Sequence, residues 1–317
     1  MSHKVCVVGA GYWGKNHIRT LHELGALGGI VEQNKELLGH YSAQYPDAKT
    51  YQNLNEALEN KDFAGFTVAT PAETHHDIAA TVIRARKHVL VEKPLSLNIE
   101  DAKHLVGLSK KYQVNLMDGH VLLFHPAIQL IKSLIHEGKI GIVQYIYSNR
   151  LNFGQVRTQE NVLWSLAPHD ISIFQYFTES YPEDLKVNGS TFLQRGIHDS
   201  IIMQLKYPNG VEGHIFVSWL HPFKEHRLVV IGSEAMITFE DSAEGKPLKL
   251  YSKKFDMENG LPEKIDGPVE LIDYEQKMPL TEELNYFVNH LDKKQISANG
   301  QHALEVTKIL LEADRCL

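Results

Sequence analysis

The chain has 317 residues, 43% of them hydrophobic and 22% charged, with a formal net charge of −7. That size and balance suit a soluble globular protein of two domains, and the acidic excess argues against nucleic acid or an anionic membrane surface as the main partner, since both reward clustered Lys and Arg. Cys6 and Cys316 are the only cysteines, too few for a disulfide framework or a cysteine-based metal motif, and with no membrane-length apolar run and no signal-peptide pattern the expected setting is the cytoplasm.

Lys4–Val8 reads as a short apolar strand. It runs into Gly9-Ala10-Gly11-Tyr12-Trp13-Gly14, followed by a helical pattern over Asn16–Leu24. This is GxGxxG between a strand and a helix. Gly9 permits the tight turn, Gly11 lets a pyrophosphate approach the backbone, and Gly14 lets helix and strand pack closely. The helix N-terminus offers unpaired N–H groups and a favourable dipole to phosphate. A second strand, Gly28–Val31, ends in Glu32, about 20 residues beyond the glycines, where an acid binds a ribose 2′-hydroxyl and repels a 2′-phosphate. The expected cofactor is therefore NAD.

The alternation continues with a strand at Phe63–Ala69, a helix at Thr74–Arg86, a strand at His88–Val91, a helix at Ile99–Tyr112 and a strand at Asn115–Met117. Short strands alternating with helices predict an α/β, doubly wound parallel sheet, with ligands at the carboxyl ends of its strands. Thr70, Pro71 and His75 follow one strand end, and Glu92, Lys93 and Pro94 another. Pro94 restricts the conformation of Lys93, and an X-Pro bond admits cis or trans. His120, just beyond the last strand, is a further candidate on this edge.

Three segments, GAGYWG (9–14), ATPAETH (69–75) and VEKPLS (91–96), resemble in order and approximate spacing the Gfo/Idh/MocA family of nicotinamide-dependent sugar oxidoreductases. The resemblance runs through the whole chain. It implies a Rossmann domain over residues 1–121 and, over 122–317, an α+β domain with an open, mostly antiparallel sheet for substrate and subunit contacts. A homodimer or homotetramer is implied with it. In this family the lysine of the EKP motif contacts the reacting hydroxyl and the nicotinamide end of the cofactor, which implicates Lys93. The TPxxxH segment lies along the cofactor, which implicates Thr70, Pro71 and His75. Tyr12, Trp13, Glu92 and Pro94 complete the expected cofactor set.

In the second half, Pro126–Glu137 carries Ile128, Ile131, Leu134 and Ile135 on one side of a helix. Strands are predicted over Ile142–Phe153, Leu185–Phe192, Ser200–Tyr207, Val211–Trp219, Arg227–Ile231 and Met236–Phe239, with a hairpin turn at Tyr207-Pro208-Asn209-Gly210. Gly245–Pro279, rich in charge, Pro and Gly, reads as a loop or an irregular strand region. Helices over Thr281–Leu291 and His302–Ala313 end the chain.

Between two of these elements stands Asn161–Asp170. Pro168 suits a helix start, which places His169 and Asp170 in a first turn. There the dipole disfavours imidazolium and suits His169 to accept a proton. By resemblance, His169 occupies the position of the histidine that takes the hydroxyl proton. Four residues earlier stands Ser165, where the family usually has an aspartate. The chain works with Lys93 and His169 alone, or works slowly, or has been altered at this position.

Residues 149–172 resemble the branch of the family acting on nucleotide-linked N-acetylamino sugars. This implies NAD-dependent oxidation of the C3 hydroxyl of a UDP-linked sugar, UDP-N-acetylglucosamine above all. The ketone would pass to an aminotransferase in diamino-sugar, lipid A or surface polysaccharide synthesis. Arg150 and Arg157 suit phosphate or carboxylate, Asn152 and Asn161 suit amide or hydroxyl groups, and Trp164 offers a flat face to a sugar ring. Three alternatives stay open: a reductase of a keto-nucleotide sugar, a polyol or inositol dehydrogenase, and a ligand-sensing regulator without turnover. No metal is expected, because His75, His76 and Asp77 are adjacent on a helix and face different directions.

Overall fold

The computed structural model describes residues 3–257 and 260–317. The chain divides into two compact units, one running to Phe124 and including Lys277–Lys308, the other comprising His125–Gln276 and Ile309–Leu317. The division thus falls three residues after the expected 121/122 boundary. Lys277–Lys308, expected in the second domain, groups with the first unit.

In the first unit the elements are β1 (Lys4–Val8), α1 (Gly14–Glu23), β2 (Leu27–Val31), α2 (Lys35–Gln44), β3 (Lys49–Tyr51), α3 (Leu54–Leu58), β4 (Phe63–Val68), α4 (His75–Arg84), β5 (His88–Val91), α5 (Ile99–Tyr112) and β6 (Leu116–Asp118). The strands form one sheet in the order β3-β2-β1-β4-β5-β6, with every pair parallel. Val5, Cys6 and Val7 are fully buried, as are Val89, Leu90 and Val91. Continuous apolar runs are what a sheet covered on both faces requires. The strand order reverses at β1, between β2 and β4, so the crevice at the β1 carboxyl end is the switch point where such sheets hold ligands. The sequence patterns above do not mark α2, β3 and α3. Asn34 and Asn53 start the two helices by accepting from Glu36 and Leu37 N–H groups and from Asn55 N–H.

The second unit contains α6 (Pro126–His136), β7 (Val143–Phe153), α7 (Val162–Thr178), β8 (Asp184–Ser190), β9 (Ser200–Lys206), β10 (Glu212–Ser218), β11 (Leu220–Gly232), β12 (Met236–Glu240), β13 (Leu248–Asp256) and β14 (Glu263–Leu271). Its sheet has the order β14-β13-β12-β11-β7-β10-β9-β8. All neighbours are antiparallel except β7 and β10, so the sheet is mixed and mostly antiparallel, as expected. Ile171 and Phe174 of α7 and Ile146, Met203, Ile215 and Val217 of the sheet are among the core residues. Gly213 admits the Phe174 ring, since a Cβ there would lie 2.8 Å from it.

Of the two readings of Gly245–Pro279, the strand one holds, because the stretch forms β13 and β14. β14 is an edge strand of the sheet, and Lys, Asp and Glu residues pair across the hairpin, as Lys253 does with Asp266 at 2.9 Å. Charge of this kind blunts a sheet edge without preventing a strand.

Two helices close the chain, α8 (Pro279–Asn289) and α9 (Gly300–Asp314). α8 packs in the first unit against α1 and the single turn at Val121–Phe124. Gly65 of β4 lets Phe287 and Leu291 approach, since a Cβ there would meet both at 2.9–3.0 Å. Among the described residues no helix is long and apolar enough to cross a membrane.

Candidate active site

The glycine loop leaves β1 at the switch point. Gly9 has φ +90°, and a Cβ on it would strike Thr70 Cγ2 at 2.8 Å. A Cβ on Gly14 would lie 1.9 Å from the Gly9 carbonyl oxygen. Gly11 has no heavy atom within 4 Å of its Cβ position, so the backbone is open there to a ligand. Trp13 precedes α1 without a side-chain cap, and the first turn carries no acid. Lys15 and Asn16 N–H donate to the Gly11 and Trp13 carbonyls at 3.1 and 2.8 Å, so what this helix end presents to an anion is chiefly the positive end of its dipole. These features fit a dinucleotide pyrophosphate. Glu32 follows β2, its carboxylate fixed by Ala10 N–H at 2.8 Å and Asn34 N–H at 2.9 Å.

The two strand-end motifs are tied together by His75. Its Nδ1 lies 2.9 Å from the Pro94 carbonyl oxygen and its Nε2 lies 2.8 Å from that of Thr70. The buried imidazole thus holds one motif against the other, and its ring nitrogens face protein backbone. Thr74 Oγ1 donates to Thr70 Oγ1 or the Pro71 carbonyl, each 2.7 Å away. The Lys93–Pro94 bond is cis.

Glu92 is the hub behind Lys93. Its Oε1 accepts from Trp13 Nε1 at 2.5 Å and lies 2.7 Å from His17 Nε2. Its Oε2 accepts from the Lys93 backbone N–H at 3.3 Å. Close by, at the end of β6, Asp118 and His120 are almost wholly buried, with His120 Nε2 3.1 Å from Asp118 Oδ2. Burial first, and then the Glu92 charge, push the Asp118 carboxyl well above the usual carboxylate range, against the pull of the Gly119 and Leu95 N–H groups and Lys93. Burial, with His302 and Lys93, pushes His120 well below the usual imidazole range, which keeps it neutral. The sequence reading singled out neither His17 nor Asp118. His17 lies one helical turn after Trp13, and that spacing was the available signal.

In the second unit, α7 starts at Val162, seven residues into which His169 falls, so His169 is not in a first turn. Asn161 decides this. Its side chain accepts from the Leu163 and Trp164 N–H groups at 3.0 and 3.4 Å, and its Nδ2 donates to Asp314 at 2.8 Å. Pro168 therefore lies inside the helix, where it removes the bond to the Trp164 carbonyl. The end-dipole argument for His169 falls with this, because the effect fades within one turn. Ser165 and His169, one turn apart on α7, are both half-buried.

Arg150 is buried and gripped by Asp170 through two bonds, Nε to Oδ2 at 2.6 Å and Nη2 to Oδ1 at 3.0 Å. Its Nη1 lies 3.5 Å from His226 Nδ1. The residue beside His169 thus anchors α7 to β7. Asn152, Arg157 and Trp164 differ from this. Asn152 Oδ1 is buried without a protein partner. Arg157 is exposed, 3.6 Å from Glu160, and Trp164 is half-buried.

Residues 3–120 match the model of an oxidoreductase family with an NAD-binding Rossmann fold, Gfo/Idh/MocA, and residues 128–238 match that family's C-terminal domain. The chain is similar to UDP-N-acetylglucosamine 3-dehydrogenase of Acidithiobacillus ferrooxidans, with 27% identity over 58% of this chain and 56% of that protein. The matched segment thus spans little over half of that relative. Its solved structure superposes with a TM-score of 0.87, covering 99% of this chain and 97% of that one at 21% identity. Myo-inositol 2-dehydrogenase of Thermotoga maritima is 23% identical over 80% of this chain and 79% of its own. The WlbA dehydrogenase of Bordetella pertussis, solved with NADH and UDP-GlcNAcA, gives a TM-score of 0.79 at 20% identity, covering 100% of this chain and 96% of that one. The two structural likenesses describe the fold, and with both family models matched, this chain is an NAD(P)-binding oxidoreductase belonging to the Gfo/Idh/MocA family.

Proposed function

We propose that this chain oxidises the C3 hydroxyl of a UDP-linked N-acetylamino sugar, UDP-N-acetylglucosamine first, with NAD as cofactor. The observation that carries the reading is the shared sheet edge in the first unit, where the glycine loop with Glu32 follows β1 and β2, and the Glu92-Lys93-Pro94 segment follows β5, with only β4 between β1 and β5. The similarity to a UDP-N-acetylglucosamine 3-dehydrogenase supports the choice of substrate. Glu32 supports NAD, because a fixed carboxylate accepts from ribose hydroxyls and repels a 2′-phosphate.

When bound, the nicotinamide supplies the hydride acceptor. Gly9, Gly11 and Gly14 admit the pyrophosphate, Tyr12 and Trp13 flank it, and Thr70, Pro71 and His75 line the cofactor. Glu92 and Pro94 fix the backbone around Lys93. The Lys93 ammonium stabilises alkoxide character as it develops at the sugar oxygen. His169 accepts the hydroxyl proton as general base, and Ser165 offers a neutral hydrogen bond in place of the family's usual carboxylate. Asn152, Arg157 and Trp164 contact the nucleotide sugar, whereas His120, almost wholly buried with Nε2 at Asp118, serves from inside the first unit. Arg150 and Asn161, with their side chains engaged by Asp170 and by the α7 backbone, serve by holding α7. An aminotransferase consumes the ketone, and the working form is a homodimer or homotetramer.

One observation favours a second reading, a polyol or inositol dehydrogenase: the match to a myo-inositol 2-dehydrogenase extends over 80% of the chain. NADH formation separates the two. The protein is supplied with NAD and, in turn, UDP-N-acetylglucosamine, its uronic acid counterpart and myo-inositol. A turnover number highest with the nucleotide sugar supports the first reading, and one highest with myo-inositol replaces it.

A further inference from the structure

The first unit encloses three carboxyl groups around the Lys93 segment: Glu92 at 8% exposure, Asp118 at 1% and Glu283 at 0%. Glu92 has partners on both oxygens. Neither oxygen of Glu283 meets a hydrogen-bonding group of the protein, and Asp118 Oδ1 is in the same condition. Glu283 lies on the core face of α8, beside Leu284 and one turn before the fully buried Phe287. That is a position for an apolar side chain.

Three carboxylates shut in together are electrostatically untenable, and the ordinary relief is protonation. Burial, then the charges of Glu92 and Asp118, push the Glu283 carboxyl well above its usual range, as burial and Glu92 do for Asp118. The surrounding cations are few. Lys93 acts on Asp118, and His120 is held neutral by burial. His17 on α1 touches Glu92, and His302 on α9 packs edge-on against His120 at 5.3 Å between ring centres. A protonated carboxyl carries an O–H donor. Near them, His120 Nε2 lies 3.1 Å from Asp118 Oδ2, a contact that a neutral imidazole and a protonated carboxyl can share as one hydrogen bond, and the buried His17 Nδ1 is an acceptor within reach only of enclosed water.

We propose that Asp118 and Glu283 each hold a proton in the working protein, so that Glu92 is the single carboxylate of the three and keeps its bonds to Trp13 and His17. Glu283 and Asp118 are then positioning residues acting through Glu92. The activity consequence rests on the function proposed above; the proton inventory does not.

The test is thermal unfolding of the full chain from mildly acidic to alkaline pH, for wild type, Glu283→Gln, Asp118→Asn and Glu283→Ala, with NADH formation measured alongside. Glu283 is protonated when folded and ionised when unfolded once pH exceeds its ordinary value. Folding then takes up a proton, and wild-type stability falls as pH rises. The amide copies the protonated acid and takes up none. Glu283→Gln is therefore expected to melt with the wild type in acid and increasingly above it as pH rises. Glu283→Ala is expected to lose about 10-fold in kcat/KM, with Gln restoring it to within about 2-fold. Identical pH dependence in wild type and Glu283→Gln overturns the proposal, as does a folded Gln variant as inactive as Ala. Should no amide variant fold, the infrared spectrum of the wild type decides. A protonated-carboxyl band at neutral pH supports the proposal, and its absence overturns it. If the wild type makes no NADH from any sugar, the function reading falls while the unfolding series still settles the protons.

Discussion

The indole N–H of Trp13 ends on Glu92 Oε1, 2.5 Å away, and joins the glycine loop to the lysine segment by one hydrogen bond. Trp13→Phe removes that donor and leaves a nearly buried carboxylate with one partner fewer. The expected cost is about 1–3 kcal/mol of stability, read by denaturant unfolding, with weaker NAD binding by calorimetry. Unchanged stability would show that the bond contributes nothing.

Glu32 sets the cofactor preference on this account. Glu32→Gln keeps the shape and removes the charge that meets the ribose. We expect kcat/KM with NAD to fall about 10-fold, the worth of about 1.5 kcal/mol for a charged hydrogen bond, while kcat/KM with NADP rises. A wild type that prefers NADP would contradict the assignment.

Arg150 and Asp170 form a buried bidentate pair. Arg150→Met strands a buried carboxylate, and the expected loss is about 3–5 kcal/mol. Arg150→Met combined with Asp170→Leu recovers most of it, because the uncompensated charge is gone. Equal losses in the single and double variants would show that the pair is not coupled.

How much of this was legible in the sequence depends on range. The glycine loop, Glu32 and the two strand-end motifs are local patterns in which residue type and neighbours carry the meaning. The start of α7 was misjudged because Pro168 and Asn161 are both good helix starters. The side-chain bonds of Asn161 to two N–H groups and to Asp314 won, and Asp314 is far off in the chain. Over Gly245–Pro279 the charges leave loop and irregular strand both open, because their pairing across β13 and β14 exists only in the fold. Asp118 and Glu283 lie 165 positions apart in the sequence, so their shared enclosure is invisible without the fold. The one clue to Glu283 was a charge on the apolar stripe of α8.

The second unit has its own acid response. Burial works to raise the Asp241 carboxyl, but His226, with Nδ1 3.9 Å away, the Lys246 hydrogen bond at 2.6 Å and the charges of Lys246 and His125 outweigh it and hold the group far below the usual carboxylate range. A depressed carboxyl contributes stability in full above its unfolded value, about 3.9, and loses it as pH falls toward the folded value. Asp241→Asn should therefore melt below the wild type at neutral pH, with the gap closing in strong acid. A gap independent of pH would assign the effect to packing.

The central claim is that hydride leaves C3 of the sugar. The direct measurement uses UDP-N-acetylglucosamine deuterated at C3, with NAD, an aminotransferase to withdraw the ketone, and mass spectrometry of the reduced cofactor. The account predicts deuterium in the nicotinamide ring from the C3-labelled sugar and none from a C4-labelled one, with transfer lost in Lys93→Ala and His169→Ala. Label arriving from another carbon, or reduction of NAD by myo-inositol alone, would contradict it.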